Sequence, residues 1–180
     1  MMKPPIIGIA GAAGSGKDTL ARGLSARFNT YIHKMADPFK RGLEVMFDLH
    51  HSVWDDREAK EKELEGLGKS PRYLAQTIGT EWGRLMVHPD IWIWAADRQW
   101  LQHSHLIVPD IRFNNEAQWI EDRGGCLLLI ERPEIDYIEL DDHVSEIGVD
   151  LDYVFETIVN DSTIDDLIDK GVEAVCQFTS

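Results

Sequence analysis

At 180 residues the chain suits one domain, long enough to bury a real core, and its 43% hydrophobic content is that of a globular protein. With 32 acidic and 18 basic residues it carries a formal charge of −14, which opposes non-specific binding to DNA or RNA, where a basic face supplies most of the affinity, but still allows a small anionic ligand where basic residues converge. The N-terminal apolar run is too short and glycine-broken for a signal peptide, and no stretch is long and apolar enough to span a membrane.

The first informative stretch follows the apolar pair Ile6-Ile7. From Gly11 to Lys17 the spacing is G-x-x-x-x-G-K, with Gly14, Ser15 and Gly16 between, as in a phosphate-binding loop whose backbone N–H groups and helix N-terminus surround a polyphosphate. The alternative is a glycine-rich turn without a ligand; a short strand before the motif and a helical pattern after it favour the loop. One position departs: Asp18 stands where Ser or Thr usually follows the lysine, and the hydroxyl arrives at Thr19, where it could still face a magnesium ion. Leu20, Leu24 and Phe28 then recur at helical spacing and predict a buried face. Tyr31 to Ala36 reads as a strand. Asp37-Pro38 reads as a helix start with Asp37 as N-cap, and Phe39, Leu43, Met46 and Phe47 as that helix's apolar side.

From Asp55 to Glu65 nearly every residue is charged, with mixed signs, which predicts a solvated helix at the edge of an inserted segment. Ser70-Pro71 starts another helix. Leu74, Ile78, Trp82 and Leu85 form its expected apolar stripe, and Arg72, Gln76, Thr80 and Arg84 step by four along a polar stripe. Gly79 and Gly83 lie between; in a helix each costs about 1 kcal/mol relative to alanine, so a close approach of a ligand or another backbone is expected there. The competing reading is an ordinary amphipathic helix with solvated arginines. Ile91 to Leu101, with Trp92, Trp94 and Trp100, is apolar almost all round and reads as buried, although one of its tryptophans could wall a base pocket.

His105 to Val108 is a strand running into Asp110-Ile111-Arg112, and an acidic residue at the carboxyl end of a strand is where open α/β sheets place ligand chemistry. Asn114 or Asn115 reads as the cap of a helix ending at Gly124-Gly125. Cys126 to Ile130 is an apolar strand leading into Glu131-Arg132, then an acidic irregular segment. Tyr153 to Val159 is the last strand; it runs into Asn160, and Ser162 with Asp165 reads as a capping box for a terminal helix whose Ile164, Ile168, Val172 and Val175 face inward. Cys126 and Cys176 are too few for a disulfide framework or a metal cluster and read as reduced thiols of a cytoplasmic protein. Strands alternating with helices predict a mostly parallel, five-stranded sheet covered on both faces. Gly11 to Thr19, Asp37, Asp110, Arg112, Arg132 and Asn160 would all lie just beyond strand carboxyl ends.

A phosphate loop alone leaves ATPase, GTPase and kinase open. The chain lacks the Asn-Lys-x-Asp motif of a GTPase and the paired acidic strand end of a motor ATPase, which leaves a small-molecule kinase. A hydroxyl acceptor would need a base, for which Asp37 or Asp110 could serve. A phosphate acceptor is already ionised and needs cations to hold two polyanions in line. Arg72, Arg84, Arg112 and Arg132 favour the phosphate acceptor, hence a nucleoside monophosphate kinase.

Gly16-Lys17-Asp18-Thr19, Ala36-Asp37-Pro38-Phe39-Lys40, Ser70-Pro71-Arg72 with Gln76 to Arg84, Asp90-Ile91-Trp92, Asp110 to Glu116, and His143-Val144-Ser145-Glu146 together resemble the bacteriophage deoxynucleoside monophosphate kinase family, in the family's order and over most of the chain. The resemblance implies a P-loop kinase fold, three-layer α/β/α, with a helical substrate-binding insertion at about 50–101 and a lid at about 132–148. It implies transfer of the γ-phosphate of ATP to a deoxynucleoside monophosphate with magnesium. Lys17 would bridge the transferring phosphate; Arg72, Arg84 and Arg112 would grip the acceptor, with Asp37, Lys40, Gln76, Thr80, Trp92 and Glu116 also on the substrate side. Arg132, His143, Ser145 and Glu146 would belong to the lid, and His143 reads equally well as a surface histidine in an acidic loop. Thr19 and Asp110 would serve magnesium, and Asn160 would lie where such kinases pass the adenine of ATP. The partners implied are small-molecule nucleotides, with neither nucleic acid nor membrane and with a homodimer left open, in the cytoplasm, or the host cytoplasm if the chain is phage-encoded. Dephospho-coenzyme A kinase, which shares an Asp after the second strand, and a regulatory P-loop ATPase are the alternatives.

Overall fold

The structure, a computed structural model, describes residues 4–133 and 148–180. The chain divides into two compact units, Met1–Lys34 with Ala96–Ser180, and Met35–Ala95.

The first unit is built on five strands: β1 (Ile6–Gly11), β2 (Tyr31–Ile32), β3 (Leu106–Val108), β4 (Cys126–Glu131) and β5 (Glu156–Val159). They lie in the order β2-β3-β1-β4-β5, and every pairing among them is parallel. Parallel strands need crossover connections, and helices α1 (Lys17–Phe28), α6 (Asn114–Glu121) and α7 (Ile164–Phe178) cover the two faces. Ile7 and Ile9 face α1 and α7 in a cluster with Leu20, Leu24, Leu128, Leu167 and Val175. Gly8 points the other way, where a Cβ would stand 2.3 Å from Ile120 of α6. Period-two alternation along β1 thus serves two buried faces, which is why the strand reads as continuously apolar. Cys126, inside β4, has its thiol pushed up to about 12 by burial, so it stays a protonated, inert part of the core.

Several boundaries differ from the sequence reading. β2 is shorter than Tyr31 to Ala36: as an edge strand it is paired only with β3, and pairing ends where the His33 N–H donates to Ile107. Residues Leu151–Tyr153 form a 3-10 turn, so β5 starts at Glu156 and not at Tyr153. Thr163, one residue after the expected Ser162, caps α7 by accepting from the Asp166 N–H at 3.2 Å. Ile164 in turn is 62% exposed, because the inward face runs through Leu167, Gly171, Ala174 and Val175. Asn114 does not cap α6; its side chain bonds both the Asp150 N–H and the Asp150 carboxylate.

The second unit holds α2 (Asp37–Phe47), α3 (Arg57–Glu61), α4 (Pro71–Gln76), a π-helix (Thr77–Val87) and the start of α5 (Ile91–His103). Ala36, not Asp37, is the N-cap of α2, and of its expected apolar side Leu43 is fully buried whereas Met46 and Phe47 are exposed. Ser70 caps α4 as expected, accepting from the Tyr73 N–H. Among the described residues no helix is long and apolar enough to cross a membrane.

Candidate active site

The first group of candidate residues grows from the turn between β1 and α1. Three residues there adopt left-handed backbone: Gly11 (φ 139), Gly14 (φ 80) and Gly16 (φ 110). Only glycine enters such conformations without strain, and space excludes a side chain as well: a Cβ on Gly11 would stand 2.4 Å from the Ile130 carbonyl oxygen, and one on Gly16 2.7 Å from the Asn160 amide nitrogen. Gly16 caps α1 without any side-chain bond, so the first N–H groups of the helix are left for a ligand. Lys17 folds its ammonium onto the loop, donating to the Gly11 carbonyl at 2.7 Å and the Ala12 carbonyl at 2.6 Å. Ser15 is buried within the loop, and Thr19 is half-buried on the first turn of α1. Asp18, the residue that departs from the usual motif, turns to solvent and pairs with Lys34 at 2.8 Å.

The other carboxyl ends of the sheet carry the remaining candidates of this unit. Asp110 is half-buried in the turn after β3, which is tied to the central strand by the bond from Ile111 N–H to Ile9. Arg112 follows with its side chain exposed. Arg132 is half-buried directly after β4, and Asn160 directly after β5. The Asn160 side chain donates to the Ser15 carbonyl at 2.8 Å, so the last strand's loop touches the phosphate loop across 145 residues of chain. Glu116 was expected on the substrate side. Instead its carboxylate is fully buried and accepts from the Arg112 and Phe113 N–H groups at 2.8 and 3.2 Å, which satisfies donors that the start of α6 would otherwise strand.

In the second unit the π-helix carries two of the expected acceptor residues, Thr80 and Arg84. Runs of i→i+5 bonding are rare and concentrate at functional sites. Here the wider winding adds a residue per turn, and the buried face falls on Gly79 and Gly83. The expected stripe is overturned at two positions: Trp82 is 46% and Leu85 76% exposed. Both glycines meet aromatic rings, and Gly83 also the Ile78 carbonyl. A Cβ on Gly79 would lie 3.1 Å from the Phe39 ring, and one on Gly83 2.6 Å from Trp92. Trp92, expected on the substrate side, is 6% exposed and donates its indole N–H to the Gly79 carbonyl at 2.8 Å. Its ring packs 4.7 Å from that of Phe39. It therefore supports the π-helix from beneath.

On that helix Arg84 is half-buried with one guanidinium nitrogen fully inside, while Thr80 and, just before it, Gln76 are exposed. Arg72 extends to Glu61 at 2.7 Å, both about half exposed. Asp37 lies in the first turn of α2, and the Lys40 ammonium sits 5.4 Å above the Trp54 ring. The sequence reading missed His88, which accepts from the Asp90 N–H at 3.1 Å and stacks on Trp94 at 4.4 Å; that leaves Trp94 53% exposed where burial was expected. Pro89-Asp90 just before a tryptophan-rich helix marked the turn, but nothing in the spacing marked the stack. His143, Ser145 and Glu146, with most of the expected lid, lie outside the described residues.

Residues 68–171 match the model of the family described as deoxynucleotide monophosphate kinase. A protein of Acanthamoeba polyphaga mimivirus that bears the same description is 30% identical over 186 residues, spanning 94% of this chain and 95% of that protein. The deoxynucleoside-5'-monophosphate kinase of Escherichia phage T5 is 31% identical over 140 residues; the match spans 68% of this chain and 56% of the phage enzyme. Among solved structures, shikimate kinase from Aquifex aeolicus superposes with a TM-score of 0.57 at 12% identity, over 97% of this chain and 98% of that one. TT1252 from Thermus thermophilus does so with a TM-score of 0.53 at 20% identity, over 99% and 100%. These two likenesses show the fold.

Proposed function

We propose, because this chain belongs to the deoxynucleotide monophosphate kinase family, that it transfers the γ-phosphate of ATP to a deoxynucleoside monophosphate, giving ADP and the deoxynucleoside diphosphate. The observation that carries the donor side is the glycine loop between β1 and α1, with its left-handed glycines and its uncapped helix N-terminus. A polyphosphate would accept from N–H groups of the loop and of the first turn of α1, that of Gly16 among them, and the Lys17 ammonium would exchange two loop carbonyls for phosphate oxygens. Charge-assisted bonds to phosphate are stronger than neutral ones, so that exchange favours the bound state.

The acceptor is a phosphate monoester whose attacking oxygen is ionised at neutral pH. It forms the new P–O bond while the bond from the γ-phosphorus to the ADP oxygen breaks, and no base is required. The work left to the protein is to align two polyanions and offset their repulsion. In a chain of charge −14 this would fall to a few basic groups: Lys17 and Arg132 for the donor, and Arg72, Arg84 and Arg112 for the acceptor. Arg72 would leave its exposed pairing with Glu61 at little cost, since half-exposed ion pairs contribute at most about 1 kcal/mol. Gln76, Thr80, Asp37 and Lys40 would serve the nucleotide's polar edges, and Ser145, Glu146 and His143 would complete the closed site.

Magnesium fits the donor set. The Thr19 hydroxyl and the Asp110 carboxylate would offer the oxygen ligands. This is the arrangement magnesium prefers, one or two protein oxygens with substrate phosphates and water completing the shell. When bound, the ion neutralises charge on the bridging and terminal phosphate oxygens.

The test is a coupled ADP-release assay with ATP and each common deoxy- and ribonucleoside monophosphate, with dephospho-coenzyme A included as an acceptor. ADP release that rises sharply with one or more deoxynucleoside monophosphates supports the proposal. Release indifferent to every monophosphate, or specific to dephospho-coenzyme A, refutes it.

A further inference from the structure

We infer that Asn160 is a positioning residue for phosphate binding: its side-chain amide holds the Ser15–Gly16 peptide so that the Gly16 N–H is aimed at the donor's phosphates. The inference rests on the donor reading above and extends it to a residue that was expected only to border the adenine.

The two ends of this contact are unequal in stiffness. Asn160 is fixed by its own backbone, since its N–H donates to the Glu131 carbonyl at 2.7 Å and extends the β4–β5 pairing by one residue. The phosphate loop has glycine at 14 and 16, and glycine tolerates either sign of φ, so a flip of the intervening Ser15–Gly16 peptide meets little steric resistance. Such a flip would turn Gly16 out of its present φ of 110 without penalty from a side chain.

The peptide between Ser15 and Gly16 is planar and trans, so its carbonyl and its N–H point in opposite directions. The amide nitrogen of Asn160 takes the carbonyl at 2.8 Å. The Gly16 N–H is thereby directed away from the β5–α7 loop, and among the described residues it has no acceptor. Its neighbours are committed. The Ser15 N–H donates to Ala12, and the Gly16 carbonyl accepts the first bond of α1 from Leu20. Of the two peptide groups around Gly16, the Ser15–Gly16 unit is therefore the one whose orientation depends on a distant side chain. Leu167 of α7 closes the same side, standing 3.2 Å from where a Gly16 Cβ would be.

The probes are magnesium tripolyphosphate, which has phosphates and no base, and magnesium ATP, titrated calorimetrically into the full chain, its Asn160→Leu variant and its Asn160→Ala variant. Leucine keeps most of the volume and removes the donor; alanine guards against misfolding of the leucine variant. Losing one hydrogen bond that orients a ligand donor should weaken both ligands roughly five- to tenfold. The KM for the monophosphate should stay unchanged while the KM for ATP rises. Weakening of ATP with tripolyphosphate unaffected would make Asn160 a base contact and overturn the inference. Unaltered affinity for both ligands would overturn it as well. A wild-type chain that binds neither ligand refutes the donor reading itself, and the positioning role falls with it.

Discussion

The sheet unit and the helical unit solve the placement of functional groups in different ways. In the sheet unit, strand pairing fixes where each strand ends, and the phosphate loop, Asp110, Arg132 and Asn160 stand at those ends because parallel strands share one carboxyl edge. In the helical unit the expected acceptor residues are spread over α2, α4 and α5 and, with Thr80 and Arg84, a π-helix whose buried face consists of two glycines packed on Phe39 and Trp92. Its exposed apolar residues include Trp82, Leu85, Met86 and Trp94. A unit with so thin a core opens more readily than one with β3 buried throughout and β1 and β4 buried at all but their last residue. The strand-end residues are thus held rigidly, and the helical unit is held by a few aromatic contacts that single changes can disturb.

The sharpest way to break this contrast is Lys17→Ala. It should lower phosphoryl transfer by at least about a hundredfold, with thermal melting little altered because the ammonium bonds carbonyls of the loop itself. A variant with undiminished turnover would remove the donor assignment. Next comes Gly83→Ala. Its new methyl would stand 2.6 Å from Trp92 and 2.8 Å from the Ile78 carbonyl, an overpacking that should cost about 1–3 kcal/mol. Hydrogen exchange should show the loss confined to residues 35–95, with the KM for the monophosphate raised and that for ATP unchanged. Uniform destabilisation of both units would contradict the division drawn here.

Trp92→Phe is gentler. It keeps the aromatic packing and drops the bond to the Gly79 carbonyl, for an expected loss of about 1–2 kcal/mol in the helical unit, read by the same exchange experiment; no change would mean that the bond does not hold the π-helix. The smallest effect belongs to Glu44. Burial acts to raise its pKa, but hydrogen bonds from His51 and Trp54 outweigh it and hold the carboxyl below its ordinary 4.5. A depressed folded-state value adds stability that is present above 4.5 and is lost as pH falls through the folded-state value. Glu44→Gln should therefore melt slightly lower than wild type at pH 7, with the difference closing in acid. A difference that widens in acid would reverse the sign.

The same contrast explains what was legible in the sequence. Gly11 to Lys17 could be read because the motif demands a strand before and a helix after, and both are recorded in apolar spacing. Asp110 and Asn160 could be placed because strand ends are visible. The bond from Asn160 to Ser15 could not, since nothing local in either segment records a contact 145 residues away. Trp82 and Leu85 were misplaced because a 3.6-residue period was assumed where the helix winds wider. Gly79 and Gly83 did announce a close approach, but spacing alone could not say that an aromatic ring from α2 and another from α5 would fill it. Glu116 was assigned to the substrate because it closes the Asp110 to Glu116 block that carries the family resemblance; its burial and its bonds to the N–H groups of the turn before α6 are tertiary facts that the block does not record.

The most direct test of the central claim is to follow the label from γ-labelled ATP in the presence of deoxynucleoside monophosphates and the wild-type chain. Label recovered in the β-position of the deoxynucleoside diphosphate, in step with ADP, is the outcome this account expects. Label appearing as inorganic phosphate at a rate indifferent to the monophosphate would mean that the phosphate loop serves hydrolysis, and would contradict it.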